Sequence, residues 1–256
     1  MRSGAEGINP YGGRGPKEKE VEQMFDSIAP AYDFMNTAMS FGLHRRWREK
    51  ALGLTFDTPV LAAKLKSGEN VDILDVATGT GDVAFRLAEI AQNGNVTGVD
   101  LSAGMLEIAR RKLKEMGETR NRMKFETGDC LSLQYSSDSF DLVTVAYGVR
   151  NFSGLLQGLK EMYRVLRTGG TLCIIELSRP ESLLPRIGYD IYSRWLIPTV
   201  GRLVSGDKSA YTYLPKSIAA APQRGELTDM MKEAGFKDCH YKSLTFGAVT
   251  IYLAHK

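Results

Sequence analysis

Residues 71–82 read Val71-Asp72-Ile73-Leu74-Asp75-Val76-Ala77-Thr78-Gly79-Thr80-Gly81-Asp82. A short apolar run with β-branched residues ends there in small residues and glycines, a pattern typical of a buried strand that leads through a tight loop into a helix. Glycines let the backbone turn sharply and let a ligand approach where a Cβ would otherwise stand. We therefore predict a ligand-binding loop after the first strand, with contacts from Asp75, Thr78, Gly79, Thr80 and Gly81.

Strands and helices alternate along the chain after this loop, which favours a parallel sheet covered by helices on both faces. The predicted elements are strands at 95–100, 123–126, 140–145 and 171–176, helices at 102–116 and 155–166, a helix at 226–233, and strands at 236–244 and 248–253. The short connection between the last two strands predicts a hairpin. The expected fold is α/β: a doubly wound, mostly parallel seven-stranded sheet with an antiparallel edge hairpin.

The residue composition and pattern divide the chain into a tail and one large domain. Residues 1–16 are rich in glycine, which predicts a disordered tail. We expect the single domain to span 17–256, made of a helical cap at 17–68, a cofactor-binding half at 69–180, an aromatic-rich helical insertion on the substrate side at 181–222, and a C-terminal helix and hairpin at 223–256.

Composition excludes several classes of protein. A net charge of +3 with 25% charged residues is too weak to predict nucleic-acid binding. The three cysteines and three histidines show no metal-ligand spacing, so we expect no metal, and unpaired cysteines suit a reducing cytoplasm. The N-terminus resembles neither a signal peptide nor a transit peptide, and no apolar stretch approaches the roughly 20 residues of a membrane span. We expect a soluble, cytoplasmic, bacterial protein.

Two acidic residues stand at the ends of later strands, at the same predicted edge of the sheet. Asp100 comes nineteen residues after Gly81, where a carboxylate can accept hydrogen bonds from both hydroxyls of an adenosine ribose. Asp129 follows the third strand, placed to accept a hydrogen bond from the adenine amino group. Together with the glycine loop, these acids favour an adenosine-containing ligand over a doubly wound domain with no such ligand.

A dinucleotide is the rival ligand, because Gly79-x-Gly81-x-x-Ala84 also fits a loose pyrophosphate-binding pattern. Asp82 at the start of the helix would repel a diphosphate, and the closing hairpin is unusual in dinucleotide-binding sheets. An acid-lined loop suits a ligand that carries an ammonium group. We therefore expect a cationic ligand.

The chain at this point resembles class I S-adenosylmethionine-dependent methyltransferases over about residues 70–256. Leu166-Arg167-Thr168-Gly169-Gly170 is similar to the L-(K/R)-P-G-G turn of that class, with Thr168 in place of the usual proline. The resemblance implies S-adenosyl-L-methionine as the methyl donor.

A closer resemblance is to the UbiE/MenG quinone C-methyltransferases. It is carried by Tyr32-Asp33-Phe34-Met35-Asn36 with Ser40, His44 and Trp47, and by Tyr147-Gly148-Val149-Arg150-Asn151. This family methylates a ring carbon of a polyprenylated demethylquinol, giving menaquinol or a ubiquinol precursor. The resemblance places the cofactor on Thr80, Asp100, Leu101, Asp129, Cys130 and Ala146; at Ala146 some relatives have a serine.

The chemistry of ring methylation suggests catalytic candidates. A phenol with a pKa near ~10 is mostly neutral at pH 7 and a poor carbon nucleophile, so the site must stabilise the phenolate or take its proton. Arg150, beside Asn151, is the expected group that lowers the quinol pKa, but a guanidinium is not itself a base. Asp33 and His44 are the candidate proton acceptors.

The substrate also suggests a partner. A prenylated quinol resides in the bilayer, and the aromatic and basic segment Tyr189–Val204 predicts peripheral contact with the inner face of the cell membrane. A homodimer is a further expectation. Alternatives that remain open are the ubiquinone-pathway benzoquinol as substrate, a small-molecule O- or N-methyltransferase, an NAD-dependent reductase, and a non-catalytic adenosine-binding scaffold.

Overall fold

A seven-stranded sheet forms the centre of the molecule in the computed structural model, which describes residues 4–13, 15–193 and 208–256. The spatial order is β3-β2-β1-β4-β5-β7-β6; β7 runs antiparallel to both neighbours, and the other pairs are parallel. The predicted sheet and its hairpin are thereby confirmed. The strands are β1 Asp72–Val76, β2 Asn95–Asp100, β3 Met123–Thr127, β4 Phe140–Ala146, β5 Leu166–Leu177, β6 Lys237–Leu244 and β7 Val249–His255.

Helices cover both faces of the sheet, as the alternating pattern predicted. The inner strands are buried on both sides, which is why β1, β4 and β5 are runs of apolar residues. The helices are α1 Lys17–Ile28, α2 Tyr32–Ser40, α3 Leu43–Phe56, α4 Pro59–Ser67, α5 Asp82–Ile90, α6 Ala103–Lys114, α7 Leu155–Val165, α8 Leu183–Ile191, α9 Lys208–Ala220 and α10 Gly225–Ala234.

The cap formed by α1 and α2 has a small apolar core of its own. Met24, Ile28 and Met35 pack there with Met105 of α6 and with Tyr211 of α9. Asp26 of α1 also accepts hydrogen bonds from the Ser102 hydroxyl at 2.6 Å and the Gly104 N–H at 2.9 Å, at the start of α6. The cap is therefore fastened across the carboxyl ends of the parallel strands.

The N-terminal segment differs from the expected disordered tail. Residues Gly4–Gly7 form a 3₁₀ turn in which Ala5 is 2% exposed. A carboxylate oxygen of Glu6 accepts a hydrogen bond from the Leu155 N–H at 3.0 Å, which satisfies a free donor at the start of α7. Composition alone did not predict this order, because a high glycine content indicates only a flexible local backbone. The segment is ordered instead by contacts with residues far along the chain.

The expected membrane segment Tyr189–Val204 is described only as far as residue 193, and the rest lies outside the described residues. None of the described helices has the length and apolar character needed to cross a bilayer.

Candidate active site

The loop after β1 folds back against the end of β2. The Gly79 N–H donates to one carboxylate oxygen of Asp100 at 2.8 Å, and the Ser102 N–H donates to the other at 2.9 Å. Burial raises the pKa of Asp100, although these backbone donors oppose the shift. Because a carboxylate offers about four lone-pair sites, Asp100 keeps acceptor capacity toward a ligand.

A first cavity opens above this loop at the carboxyl ends of β1, β2 and β4. Seven of the residues predicted for the site line it: Gly79, Asp100, Leu101, Asp129, Cys130, Ala146 and Asn151. Gly128 also lines it, and a Cβ at that position would lie 2.7 Å from Cγ2 of Val99, so the wall there admits only glycine without rearrangement. These features suit an adenosyl group. Asp100 offers a carboxylate that can accept from ribose hydroxyls, Asp129 offers an acid one strand further along the sheet, and the wall at Gly128 is backbone without a side chain.

Asp75 supports the loop from below instead of facing this cavity. Its carboxylate accepts hydrogen bonds from the hydroxyls of Thr78 and Thr144, both at 2.6 Å, because the sheet register pairs Asp75 with Thr144. Burial raises the pKa of Asp75 to about 6. Asp75, Thr78, Thr80 and Gly81 are not among the described residues that line the first cavity.

Asp33 and Thr80 belong to a charged network beside the first cavity. The Thr80 hydroxyl donates to Asp33 at 2.6 Å, and Lys112 donates to Asp33 at 2.6 Å and to Asp82 at 3.0 Å. Arg48 completes the network with an ion pair to Asp82 at 3.1 Å. Asp82 is thus paired with two cations, which weakens the sequence argument that its charge would repel a diphosphate.

A second cavity of about 340 Å³ lies between the cap, α8 and α9. Its lining is mostly apolar and aromatic, with methionines from α1 and α2 and tyrosines from α8 and α9. Arg150 and His44 line it, whereas Asp33 lines neither cavity among the described residues. The two cavities share Phe25, Tyr32 and Tyr147.

Arg150 is held in place by a buried carboxylate. One Nη atom lies 2.7 Å from Oε1 of Glu176 and also donates to the Tyr147 carbonyl. Burial is the largest single influence and would lower the pKa of Arg150, but the Glu176 carboxylate, with smaller contributions from Tyr32 and Tyr213, outweighs it, so the pKa is raised. The Arg150 Nε is buried and has no hydrogen-bond partner within the described part of the chain. An unused donor beside an apolar cavity suits an oxygen of a bound ligand.

His44 is held in a single tautomer by its neighbours. The Ser40 hydroxyl donates to the Asn36 carbonyl at 2.6 Å, so the same oxygen accepts from Nδ1 of His44 at 2.7 Å. This pattern assigns the ring proton to Nδ1 and leaves the Nε2 lone pair unprotonated. Burial, and then the charge of Arg48, lower the pKa of His44 from its ordinary value. His44 is therefore neutral at pH 7.

Tyr147 is a site residue that sequence reasoning placed in a motif without giving it a role. It has φ +59°, and Ala77, directly after the neighbouring strand β1, has φ +52°; both lie in the left-handed region that non-glycine residues rarely adopt. Such strain at the ends of two adjacent strands often marks a functional site. The Tyr147 hydroxyl is buried and, among the described residues, has no hydrogen-bond partner. Glu176 was also missed, because it becomes relevant only through its contact with Arg150.

Comparison with known proteins agrees with this geometry. Residues 14–256 match the model of the ubiE/COQ5 methyltransferase family. The chain is 45% identical to the demethylmenaquinone methyltransferase of Porphyromonas gingivalis and 43% identical to that of Bacteroides fragilis, over 98% of each chain. It is 39% identical to the ubiquinone/menaquinone biosynthesis C-methyltransferase UbiE of Geotalea daltonii, over 94% of this chain and 97% of that one.

Solved structures support the fold. The [4+2]-cyclase SpnF superposes with a TM-score of 0.68 at 19% identity, covering 94% of this chain and 97% of that chain. A SAM-dependent methyltransferase of Thermotoga maritima superposes with a TM-score of 0.60 at 19% identity, covering 91% and 99%. The family match over almost the whole chain decides against the reductase and the scaffold: the chain belongs to the ubiE/COQ5 methyltransferase family.

Proposed function

We propose that this enzyme transfers the methyl group of S-adenosylmethionine to a ring carbon of a polyprenylated demethylquinol, with demethylmenaquinol as its substrate. The observation that carries the proposal is the meeting of two unlike cavities at Phe25, Tyr32 and Tyr147. One is built around a carboxylate, and the other is apolar and large enough for a bicyclic ring. The names of the relatives from Porphyromonas gingivalis and Bacteroides fragilis support the naphthoquinol.

The first cavity binds the methyl donor, and the second binds the quinol. When bound, S-adenosylmethionine supplies an electrophilic methyl group on a sulfonium. Asp100 would accept hydrogen bonds from its ribose hydroxyls, and Asp129 would bind its adenine; both line the first cavity. Arg150, on the side of the second cavity, directs its unpaired Nε–H and its positive charge at the quinol oxygen, which lowers the pKa of that hydroxyl. The apolar walls exclude water and so favour a step in which charge is neutralised.

His44 is the proposed proton acceptor. Its Nε2 lone pair is unprotonated, it lines the second cavity, and its lowered pKa keeps it neutral at pH 7. Asp33 is the weaker candidate, because Lys112 and Thr80 already occupy its carboxylate and it lies outside both cavities. Tyr147, which lines both cavities, is placed to hydrogen-bond the substrate oxygen with its unpartnered hydroxyl.

The benzoquinol of the ubiquinone pathway is the second candidate substrate, favoured by the name of the Geotalea daltonii relative. Incubation with methyl-labelled S-adenosylmethionine and either reduced demethylmenaquinone or the demethylated benzoquinol distinguishes the two. We expect label on a ring carbon of the naphthoquinol, identified by mass spectrometry of the product. Label on the benzoquinol alone would overturn the choice of substrate, and label on neither would overturn the proposed function.

A further inference from the structure

Exposed apolar side chains concentrate on three segments at the second cavity. Leu183, Leu184, Ile187 and Ile191 of α8 are between 49% and 80% exposed; Phe41, after α2, is 75% exposed; and Phe246, in the turn after β6, is 82% exposed. We call these six residues the apolar rim. Leaving large side chains in water is unfavourable, so a concentration of them on one surface indicates something that covers it.

Contacts among the three segments make the rim one surface. Arg224 donates to the carbonyls of Arg179 at 2.6 Å and Gly247 at 3.3 Å, which joins the approach to α8 with the turn that carries Phe246. At the other end of α8, the Tyr192 hydroxyl donates to the Met39 carbonyl, two residues before Phe41. Both ends of α8 are thus fixed to the segments that carry the other rim residues.

The rim borders the second cavity. Phe41 itself lines the cavity, as does Thr245 beside Phe246. Gly188 and Tyr189 of α8, and Tyr192 directly after that helix, line it as well. The helix α8 is therefore apolar on two sides, one toward the cavity and one exposed. An apolar chain attached to a ring in the cavity could leave between Phe41 and α8 along apolar side chains.

Cations without acidic partners flank the rim. Arg45, Arg46 and Lys50 are exposed on α3, and Arg186 is exposed on α8 between rim residues. Within the described part of the chain, none of these four forms an ion pair, whereas Arg48 on α3 and Arg86 on α5 do. The Trp47 Nε1–H donates to the Thr245 hydroxyl at 2.8 Å and holds α3 against the turn of Phe246. Apolar side chains bordered by unpaired cations match an anionic lipid interface.

We propose that the apolar rim inserts into an anionic lipid bilayer, with Arg45, Arg46, Lys50 and Arg186 against the lipid headgroups, so that the prenyl tail of the substrate passes directly from the bilayer into the second cavity. The purpose given to the docking rests on the proposed function, whereas the docking itself is argued only from the apolar rim and the cations beside it. A second copy of the chain is the rival occupant. A two-fold contact would bring the same cations of both copies together, which disfavours it.

The test uses the full chain and vesicles of phosphatidylcholine with or without phosphatidylglycerol. We expect wild-type protein to sediment with the anionic vesicles and to bind less in high salt. The double variant Leu184→Ser, Phe246→Ser should bind about tenfold more weakly or worse, because it removes two inserting side chains. Arg45→Glu with Arg46→Glu should remove the preference for anionic lipid. Val60→Ser is the matched control, since Val60 is 44% exposed on α4, away from both cavities.

The outcomes separate the surface from the reaction. Both rim substitutions lie on exposed side chains, so turnover of a short-chain quinol in solution should be unchanged. Unaltered vesicle binding by the double variant, or no binding by the wild type, would overturn the docking surface. A wild-type dimer that the double variant converts to monomer, with vesicle binding unaffected, would assign the rim to a second copy and overturn it as well. Vesicle binding without methylation of any quinol would instead count against the proposed function.

Discussion

The Tyr147 hydroxyl is a buried polar group that gains nothing from the protein around it. A buried hydroxyl without a partner costs stability, and its removal leaves no other group unsatisfied. We therefore expect Tyr147→Phe to leave the free energy of urea unfolding unchanged or raise it. If the hydroxyl serves the substrate oxygen, kcat/KM should fall by roughly 10- to 100-fold, the scale of about 1.5–3 kcal/mol for a hydrogen bond to a charged group.

The matched control is Tyr135→Phe, whose hydroxyl donates to Glu126 at 2.7 Å and which lines neither cavity among the described residues. This variant should lose a little stability and keep full activity. If Tyr147→Phe were destabilised and fully active, the hydroxyl would have a structural partner and no part in the reaction.

His44 determines how activity should depend on pH. The neutral ring is the form that accepts a proton, so activity is lost as the pH falls through the pKa of His44 and is retained above it. Because burial and then Arg48 lower that pKa, the acidic limb of the kcat/KM profile should lie below the ordinary histidine value of 6.5. His44→Gln should remove this limb and reduce kcat by about 10²- to 10⁴-fold. A limb that persists unchanged in His44→Gln would assign the proton transfer to another group.

At the level of single residues, the sequence predicts position where the signal is local. Asp100 and Asp129 line the first cavity because Asp100 ends β2 and Asp129 follows β3, and the carboxyl ends of parallel strands share one edge. The partner of Arg150 could not be found in this way. Glu176 lies 26 residues further along the chain, at the end of a strand two positions from β1, and no spacing rule joins the two.

The 3₁₀ turn at Gly4–Gly7 and the helix α1 act as one element because of a single lysine. Lys17 is 5% exposed, and its Nζ donates to the carbonyls of Ala5 at 2.6 Å, Arg150 at 3.3 Å and Phe152 at 3.4 Å. Burial lowers the pKa of Lys17 to about 8, with Glu6 opposing the shift. The element therefore ties the N-terminus to the backbone on either side of Asn151.

Lys17→Met should break this tie. Three buried carbonyls lose their common donor, so we expect a loss of about 2–4 kcal/mol in the free energy of urea unfolding and a looser segment at 4–13. Affinity for S-adenosylhomocysteine should fall as well, because Glu18 and Glu22 of the same helix line the first cavity. Lys19→Met, an exposed site two residues along α1, is the control and should match the wild type. Equal stability of the two variants would contradict the tie.

At the scale of the whole molecule, the sequence predicts the sheet and its hairpin but not how the cap joins the two cavities. Periodicity predicted the sheet and its hairpin, because each buried strand carries its own apolar pattern. The joining of the two cavities depends instead on the position of the cap. Its helices α1 and α2 are held over the sheet by contacts such as those of Asp26 with the start of α6. Those contacts span about 76 residues of chain, so the geometry of the reaction lies in long-range packing.

This architecture predicts where ligand binding should slow hydrogen exchange. Phe25 of α1 and Tyr32 of α2 line the first cavity, whereas α4 and α10 contribute no residue to either cavity. S-adenosylhomocysteine should therefore slow amide exchange in α1, α2 and the loop 77–82, and leave exchange in α4 and α10 at the level of the free protein beyond any global stabilisation. Asp100→Ala removes the expected acceptor for the ribose, so at the same ligand concentration the protection should shrink throughout. Protection confined to 77–82 would mean that the cap does not close over the cofactor, and uniform protection of α4 and α10 would mean that binding acts only through overall stability.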